Sequence, residues 1–209
     1  MAKFQKVQDH GKRRHIAETA HRLFTRRGGF DAVAMKEVAE SAGVAMATLY
    51  RFFPTKEFLV LRALGEGMAE VVESRPAGQS PLQALRAHYR RFAAQPAEPR
   101  RQLPSLDAPE HGKAQRIAMM KGVLDDPAFG DPGDDPLHEQ RRALARALAR
   151  DYDELTAALM AAQFAAAVLT LREALFGRLV AGATLREAGR HLAEDAEVAF
   201  DLLKRGIDR

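Results

Sequence analysis

The sequence predicts an all-α protein, with a small basic helical domain at the N-terminus and a larger apolar helical domain behind it. Three observations lead to that expectation. Apolar residues recur at helical spacing along most of the chain, and no stretch shows the convincing alternation of a half-buried strand. Ala, Leu, Arg and Glu, which favour helix, are abundant, and β-branched residues are sparse. Charge is unevenly shared: residues 1–56 hold eleven Lys/Arg against five Asp/Glu, whereas 57–209 hold twenty-one against twenty-three. The whole positive excess lies in the first quarter, as expected of a segment that meets a polyanion, although charge alone would serve a solubilising tail equally well.

Residues 1–10 show no clear apolar periodicity and read as a loose basic arm. Ile16, Ala20, Leu23 and Phe24 then fall at i, i+4, i+7 and i+8, predicting a helix over 12–27 that Gly28 and Gly29 stop. Short helices follow over 35–42, ended by Gly43, and over 45–52. Pro54 breaks the chain, and Thr55 is placed to cap a longer helix over 56–73. Residues 75–81 form a linker in which Ser80 caps and Pro81 opens a helix reaching about residue 94. Four prolines in 96–112 leave that stretch without a readable pattern. A helix near 113–124 and an acidic loop over 125–136 follow by composition. Helices near 137–150, 153–181 and 184–205 complete the chain, with Gly182 and Thr184 as terminator and cap at the last junction. The expected division is 1–56 and 57–209.

Apolar residues make up 46% of the chain, enough to fill a core, and cysteine is absent, which excludes disulfides and thiolate metal sites. That usage is compatible with a reducing cytoplasm. No uninterrupted apolar run follows the basic N-terminus, so a signal peptide is not expected. The most apolar stretch, 155–171, is Ala-rich and interrupted by Thr156, Gln163 and Thr170, and reads as a buried helix rather than a membrane span. The expectation is a soluble cytoplasmic protein without a membrane partner. Seven histidines are scattered without metal-ligand spacing. Gly65 and Gly67 lie inside an expected helix rather than in a phosphate loop, the acidic run lacks the order of a calcium loop, and no elbow motif singles out a nucleophile. Neither catalysis, a metal nor a cofactor is expected. A purely architectural DNA-binding protein would not need so long an apolar helical domain.

Two short helices around the turn at Gly43 form a helix-turn-helix, whose second helix can lie in a major groove. Val38, Ala39, Val44, Leu49 and Phe52 are spaced to pack the pair together and onto the 16–24 stripe. Met46, Ala47, Tyr50 and Arg51 then project outward, and burial on DNA would account for an aromatic and a methionine there.

The same stretch closely resembles the DNA-binding domain of the TetR/AcrR family. Gly29-Phe30, Ala42-Gly43-Val44, Thr48-Leu49-Tyr50, Phe52-Phe53 and Thr55-Lys56-Glu57 follow that family's order and spacing. The resemblance implies that Thr48 and Tyr50 bind backbone phosphates, with Lys56 binding another at a helix N-terminus beside Thr55. Base reading falls to Ala45, Met46, Ala47 and Arg51. The first three offer only van der Waals contact, most naturally to thymine methyls. Arg51 can bond a guanine or a phosphate, and Met46 can equally be an exposed residue without a partner. Ala34 and Ala45 stand where the family usually has a capping Ser or Thr, each omission costing about 1 kcal/mol.

The resemblance also implies a homodimer through the last two helices, and Ala166, Leu169, Phe176, Leu192, Ala196 and Phe200 are the candidate interface residues; an ordinary intramolecular core is the alternative. A small-molecule pocket is implied as well. Tyr89, Phe92, Met119, Met120, Phe129 and Phe164 are its candidate lining, since Met and Phe adapt to apolar ligands, though each also reads as plain core. Residues around 32–35 and 49–56 are similar to TetR-type repressors of steroid and lipid catabolism, which suggests a coenzyme-A thioester or another lipophile. The expected function is a repressor that binds palindromic operator DNA as a homodimer and is released by a small lipophilic molecule.

Overall fold

A computed structural model of the chain describes residues 2–94 and 136–207, and every regular element among them is helical. Helix α1 spans Ala2–Arg27, a short 3-10 turn Phe30–Ala32, α2 Met35–Ser41, α3 Met46–Phe52, α4 Lys56–Ala63, α5 Met68–Glu73 and α6 Pro81–Phe92. Helices α7 (Pro136–Leu148), α8 (Glu154–Val180) and α9 (Leu185–Ile207) complete the fold. The expected helix near 113–124, the acidic loop and the Pro-rich stretch lie outside the described residues.

The expected loose arm is instead the opening of α1, which runs through Gly11 without a break. Periodicity reports a buried face, not helicity itself. Residues 2–10 have helix-favouring Ala, Lys and Gln without a clear apolar periodicity, and one interior glycine costs only about 1 kcal/mol. Helix α1 is anchored further along, where Ile16, Ala17, Ala20 and Phe24 are fully buried. It ends as expected at Gly28 and Gly29, both at positive φ. A Cβ on Gly29 would lie 1.8 Å from the Ala94 carbonyl oxygen, so only glycine lets this turn close on the end of α6.

The single helix expected over 56–73 is two. Chain residues 64–67 break it between α4 and α5, with Gly67 in the left-handed region at φ 76°. The side-chain space at Gly67 is occupied by His21 of α1, whose Nε2 would sit 2.4 Å from a Cβ there. Helix α6 begins with a full capping box, Ser80 and Gln83 bonding each other's backbone N–H, and Pro81 at the first helical position.

The core is continuous from the N-terminal helices to the last one. Phe92 of α6 meets Phe24 and Phe30 edge-on at 5.7 and 5.9 Å, while Phe200 of α9 lies 5.7 Å from Tyr89 and 6.4 Å from Phe164. Helix α8 packs on α7 and α9 through Ala157, Ala161, Phe164, Val168, Leu171 and Leu175. By length and composition alone it could also cross a membrane, with a mean hydropathy of 1.6, but one side of it is core.

Candidate nucleic-acid interface

Helices α2 and α3 are each two turns long and could not hold helical form alone. Burial of Val38 and Ala39 on one and Leu49 and Phe52 on the other fixes them. Between them Gly43 takes φ 65°, and the Val44 N–H donates to the Ala39 carbonyl oxygen at 3.0 Å. Neither Ala34 nor Ala45 makes a side-chain cap, as their residue type requires. Helix α4 packs across α1 and holds the pair from behind.

With Leu49 and Phe52 turned inward, α3 presents Ala45, Ala47 and Arg51 fully to solvent, and Met46, Thr48 and Tyr50 in part. Met46 leans against the edge of the core, which accounts for its partial cover. Lys56 stands half-buried in the first turn of α4. Thr55 takes the N-cap position of α4, but its hydroxyl makes no capping bond and its oxygen is buried without a hydrogen-bond partner. In this conformation Thr55 offers its backbone, not its hydroxyl, at the surface. Arg51 lies over the Phe52 ring, 4.5 Å from its centroid, and its Nη2 is 3.1 Å from Oδ1 of Asp9. The face is therefore small and mostly apolar at its centre, with Arg51 its one cationic side chain on α3.

Residues 16–63 match the model of the family described as bacterial regulatory proteins, tetR family. Residues 16–63 are thus a DNA-binding domain of the TetR type. Over 62 residues the chain is 45% identical to the HTH-type transcriptional repressor KstR of Rhodococcus jostii, a match covering 28% of this chain and 29% of that protein. The HTH-type transcriptional regulator TcmR of Streptomyces glaucescens is 34% identical over 65 residues, 30% of this chain and 29% of its own. The matches thus span less than a third of these relatives. A transcriptional regulator of known structure from Rhodococcus sp. Rha1 aligns over 93% of this chain and 96% of its own, at 20% identity and a TM-score of 0.34.

The TetR-type match runs to residue 63 and so includes α4. The joint behind α4 is polar and buried, which sequence reading missed. His21 of α1 donates from Nδ1 to the Ala63 carbonyl at 2.8 Å and stacks on His88 of α6 at 4.7 Å. The Nε2 of His88 is buried without a hydrogen-bond partner. Burial drives His21 down to about 4 and His88 well below the ordinary imidazole range. Glu66, in the α4–α5 connection, is pushed up to about 7 by burial, against the pull of Arg62 at 3.4 Å, and accepts from Gln140 of α7. Tyr89 donates to the Leu64 carbonyl at 3.1 Å, so the same connection is tied to α6. Neither a lone buried His nor a lone Glu in a helical pattern signals such a cluster in sequence.

The other expected site residues divide. Tyr89, Phe92 and Phe164 are buried, Phe92 against Phe24 and Phe30, and Tyr89 and Phe164 both against Phe200. Met119, Met120 and Phe129 lie outside the described residues. A shallow depression of about 450 Å³ at the α8–α9 turn is lined by Arg178, Ala181, Ala183, Glu187, Arg190 and His191, none of them a candidate. Ala166 and Leu169 are exposed on α8, and Phe176 partly so. Leu192, Ala196 and Phe200 are buried within the protomer and hold α9 onto the core. Large apolar side chains are left in solvent elsewhere: Leu155 at 69% and Leu159 at 56% on α8, Val198 at 60% and Leu202 at 63% on α9.

Proposed function

We propose that the chain is a cytoplasmic, ligand-responsive transcriptional repressor that binds a palindromic operator as a homodimer. The observation that carries this reading is the exposed face of α3, held by a helix-turn-helix inside the TetR-family match. Ala45, Met46 and Ala47 provide a flat surface for thymine methyls, and Arg51 a donor fork for guanine. Thr48, Tyr50 and Lys56 flank that surface and serve the phosphates that set register. Helix α4 goes with the reader rather than with the domain behind it, since it packs on α1.

Dimerisation accounts for the apolar surface of α8. Leu155, Leu159, Ala162, Ala166, Leu169, Phe176 and Val180 follow the alternating four- and three-residue spacing of a helix-packing seam, broken only by Glu173. The first residues of that seam are exposed in the protomer, as are Val198 and Leu202 of α9. A second copy brings these faces together, while Leu192, Ala196 and Phe200 serve within each copy. Release by ligand requires tighter binding to the form that does not hold DNA. The tie from α6 through Leu64 to α4 is the route by which the larger domain moves the reader. The lipophilic class of ligand rests on resemblance of the reader segments to repressors of lipid catabolism.

The test is selection of bound sequences from a random duplex pool, with unrelated competitor DNA at physiological salt. An enriched inverted repeat is expected, its half-sites about one helical turn apart. Binding that is salt-sensitive but enriches no sequence would overturn the operator reading. Adding an acyl-coenzyme A thioester to the selected complex tests the ligand class, with release expected.

A further inference from the structure

Arg51 supplies the cationic donor fork on the exposed face of α3, and it is held from two sides. Phe52 packs against the guanidinium, its ring centroid 4.5 Å away, a ring that Arg13 also approaches at 5.7 Å. Asp9, in the opening of α1, takes an N–H of Nη2 at 3.1 Å and sets its direction. These two contacts come from different parts of the chain. Phe52 is buried in the reader itself, whereas Asp9 precedes the residues that match the TetR family. A carboxylate beside a groove repels phosphates, so Asp9 is an unfavourable residue for non-specific binding. Its placement has a use if it fixes a donor. With one N–H engaged by Asp9, the remaining guanidinium N–H groups can still address the acceptors on a guanine edge. A phosphate contact, by contrast, needs no fixed plane and would be favoured by an unrestrained arginine.

We propose that Asp9 is a specificity-determining residue, orienting Arg51 on Phe52 toward a guanine and opposing its use as a general phosphate contact. The proposal rests on the reading of α3 as the recognition helix. It also gives the helical opening of α1 a role. A loose arm could not hold Asp9 at a defined place beside α3.

The experiment compares the full-length protein with Asp9→Ala, Arg51→Ala and the double variant in duplex selection, each checked for unchanged helicity and melting. The wild type is expected to prefer guanine at one position in each half-site. Asp9→Ala should lower that preference about tenfold at that position alone while binding unrelated DNA more tightly. The double variant should be no less selective than Arg51→Ala, because Asp9 acts through Arg51. An Asp9→Ala profile identical in shape to wild type, with all sequences bound more tightly, would make Asp9 a repelling charge only and overturn the proposal. A wild type that enriches no motif would overturn the operator reading and this role together.

Discussion

The stacked pair His21–His88 carries two imidazoles out of water; Nδ1 of His21 donates to the Ala63 carbonyl, while Nε2 of His88 is buried without a hydrogen-bond partner. Arg22 and Glu18 act on His21 from α1, Arg91 on His88 from α6, and Glu66 stands in the adjoining connection. Both rings are neutral in the fold, with His21 lowered from 6.5 to about 4. The unfolded chain therefore binds more protons between those values, and stability falls as pH drops from about 6.5 toward 4. Glu66 acts in the opposite sense. Raised from 4.5 to about 7, it keeps its proton in the fold where the unfolded chain has lost it, so its stabilisation is lost as pH rises through 4.5 to 7. His88→Phe keeps a ring against His21 and Tyr89 and removes the unpaired nitrogen. It should be neutral or stabilising at pH 7.5. Its melting temperature should fall less than that of the wild type between pH 7.5 and 5, because its unfolded chain has one imidazole fewer to protonate. Thermal melts across that range decide it; parallel curves would mean that His88 does not titrate against folding. Lys56→Ala belongs to the same scale but to DNA. It should weaken binding to all duplexes alike and lower the salt slope by about one, as a lost phosphate contact does. An unchanged slope in a salt titration would remove Lys56 from the interface.

Elements were legible where their cause is local. The end of α1 at Gly28, the turn at Gly43, the capping box at Ser80 and the packing stripe of Ile16 to Phe24 can each be seen in a few neighbouring residues, and each stands where expected. Two elements were not legible, for physical reasons. The helical opening of α1 has no apolar periodicity to announce it. The break between α4 and α5 depends on His21, a distant residue that fills the space a side chain at Gly67 would need. The helix-turn-helix was legible through its motif, but which apolar faces of α8 and α9 stay exposed, and the buried joint, were not, because both depend on which side of a helix the rest of the fold covers. Gly67→Ala tests the break: positive φ and the clash with His21 should together cost about 2 kcal/mol or more. Urea unfolding measures it, and a loss within a few tenths of a kcal/mol would mean the joint yields easily. Capping gives the opposite sign. Ala34 holds the extended backbone of an N-cap, φ −85° and ψ 151°, without a side chain to use it. Ala34→Ser should stabilise α2 by about 1 kcal/mol; no gain in the same urea assay would show that the second helix is held wholly by packing.

At the scale of the whole molecule, the division of charge and the division of apolar surface fall at opposite ends. The basic excess lies in residues 1–56, whereas the exposed large apolar side chains lie on α8 and α9. A single protomer with this layout would meet DNA through one short helix and leave Leu155, Leu159, Val198 and Leu202 in water. In the proposed homodimer a second copy would cover the apolar end and supply a second reader, whose α3 must lie about 34 Å from the first to enter the next major groove. The two needs are met by one interaction, so they should fail together. Leu159→Glu places a carboxylate in the middle of the exposed seam without touching the protomer core. It should leave helicity unchanged, because Leu159 is 56% exposed. Analytical ultracentrifugation should show a monomer at concentrations where the wild type is a dimer. Operator affinity should fall by about 100-fold or more, since joining two half-site readers raises their effective concentration by that order. The half-site preference of the surviving monomer should be that of the wild type, because α3 and Asp9 are intact in it. A variant that remains dimeric would place the interface elsewhere on α8 and α9. A monomer that still binds the full operator at wild-type strength would show that the readers do not need to be joined.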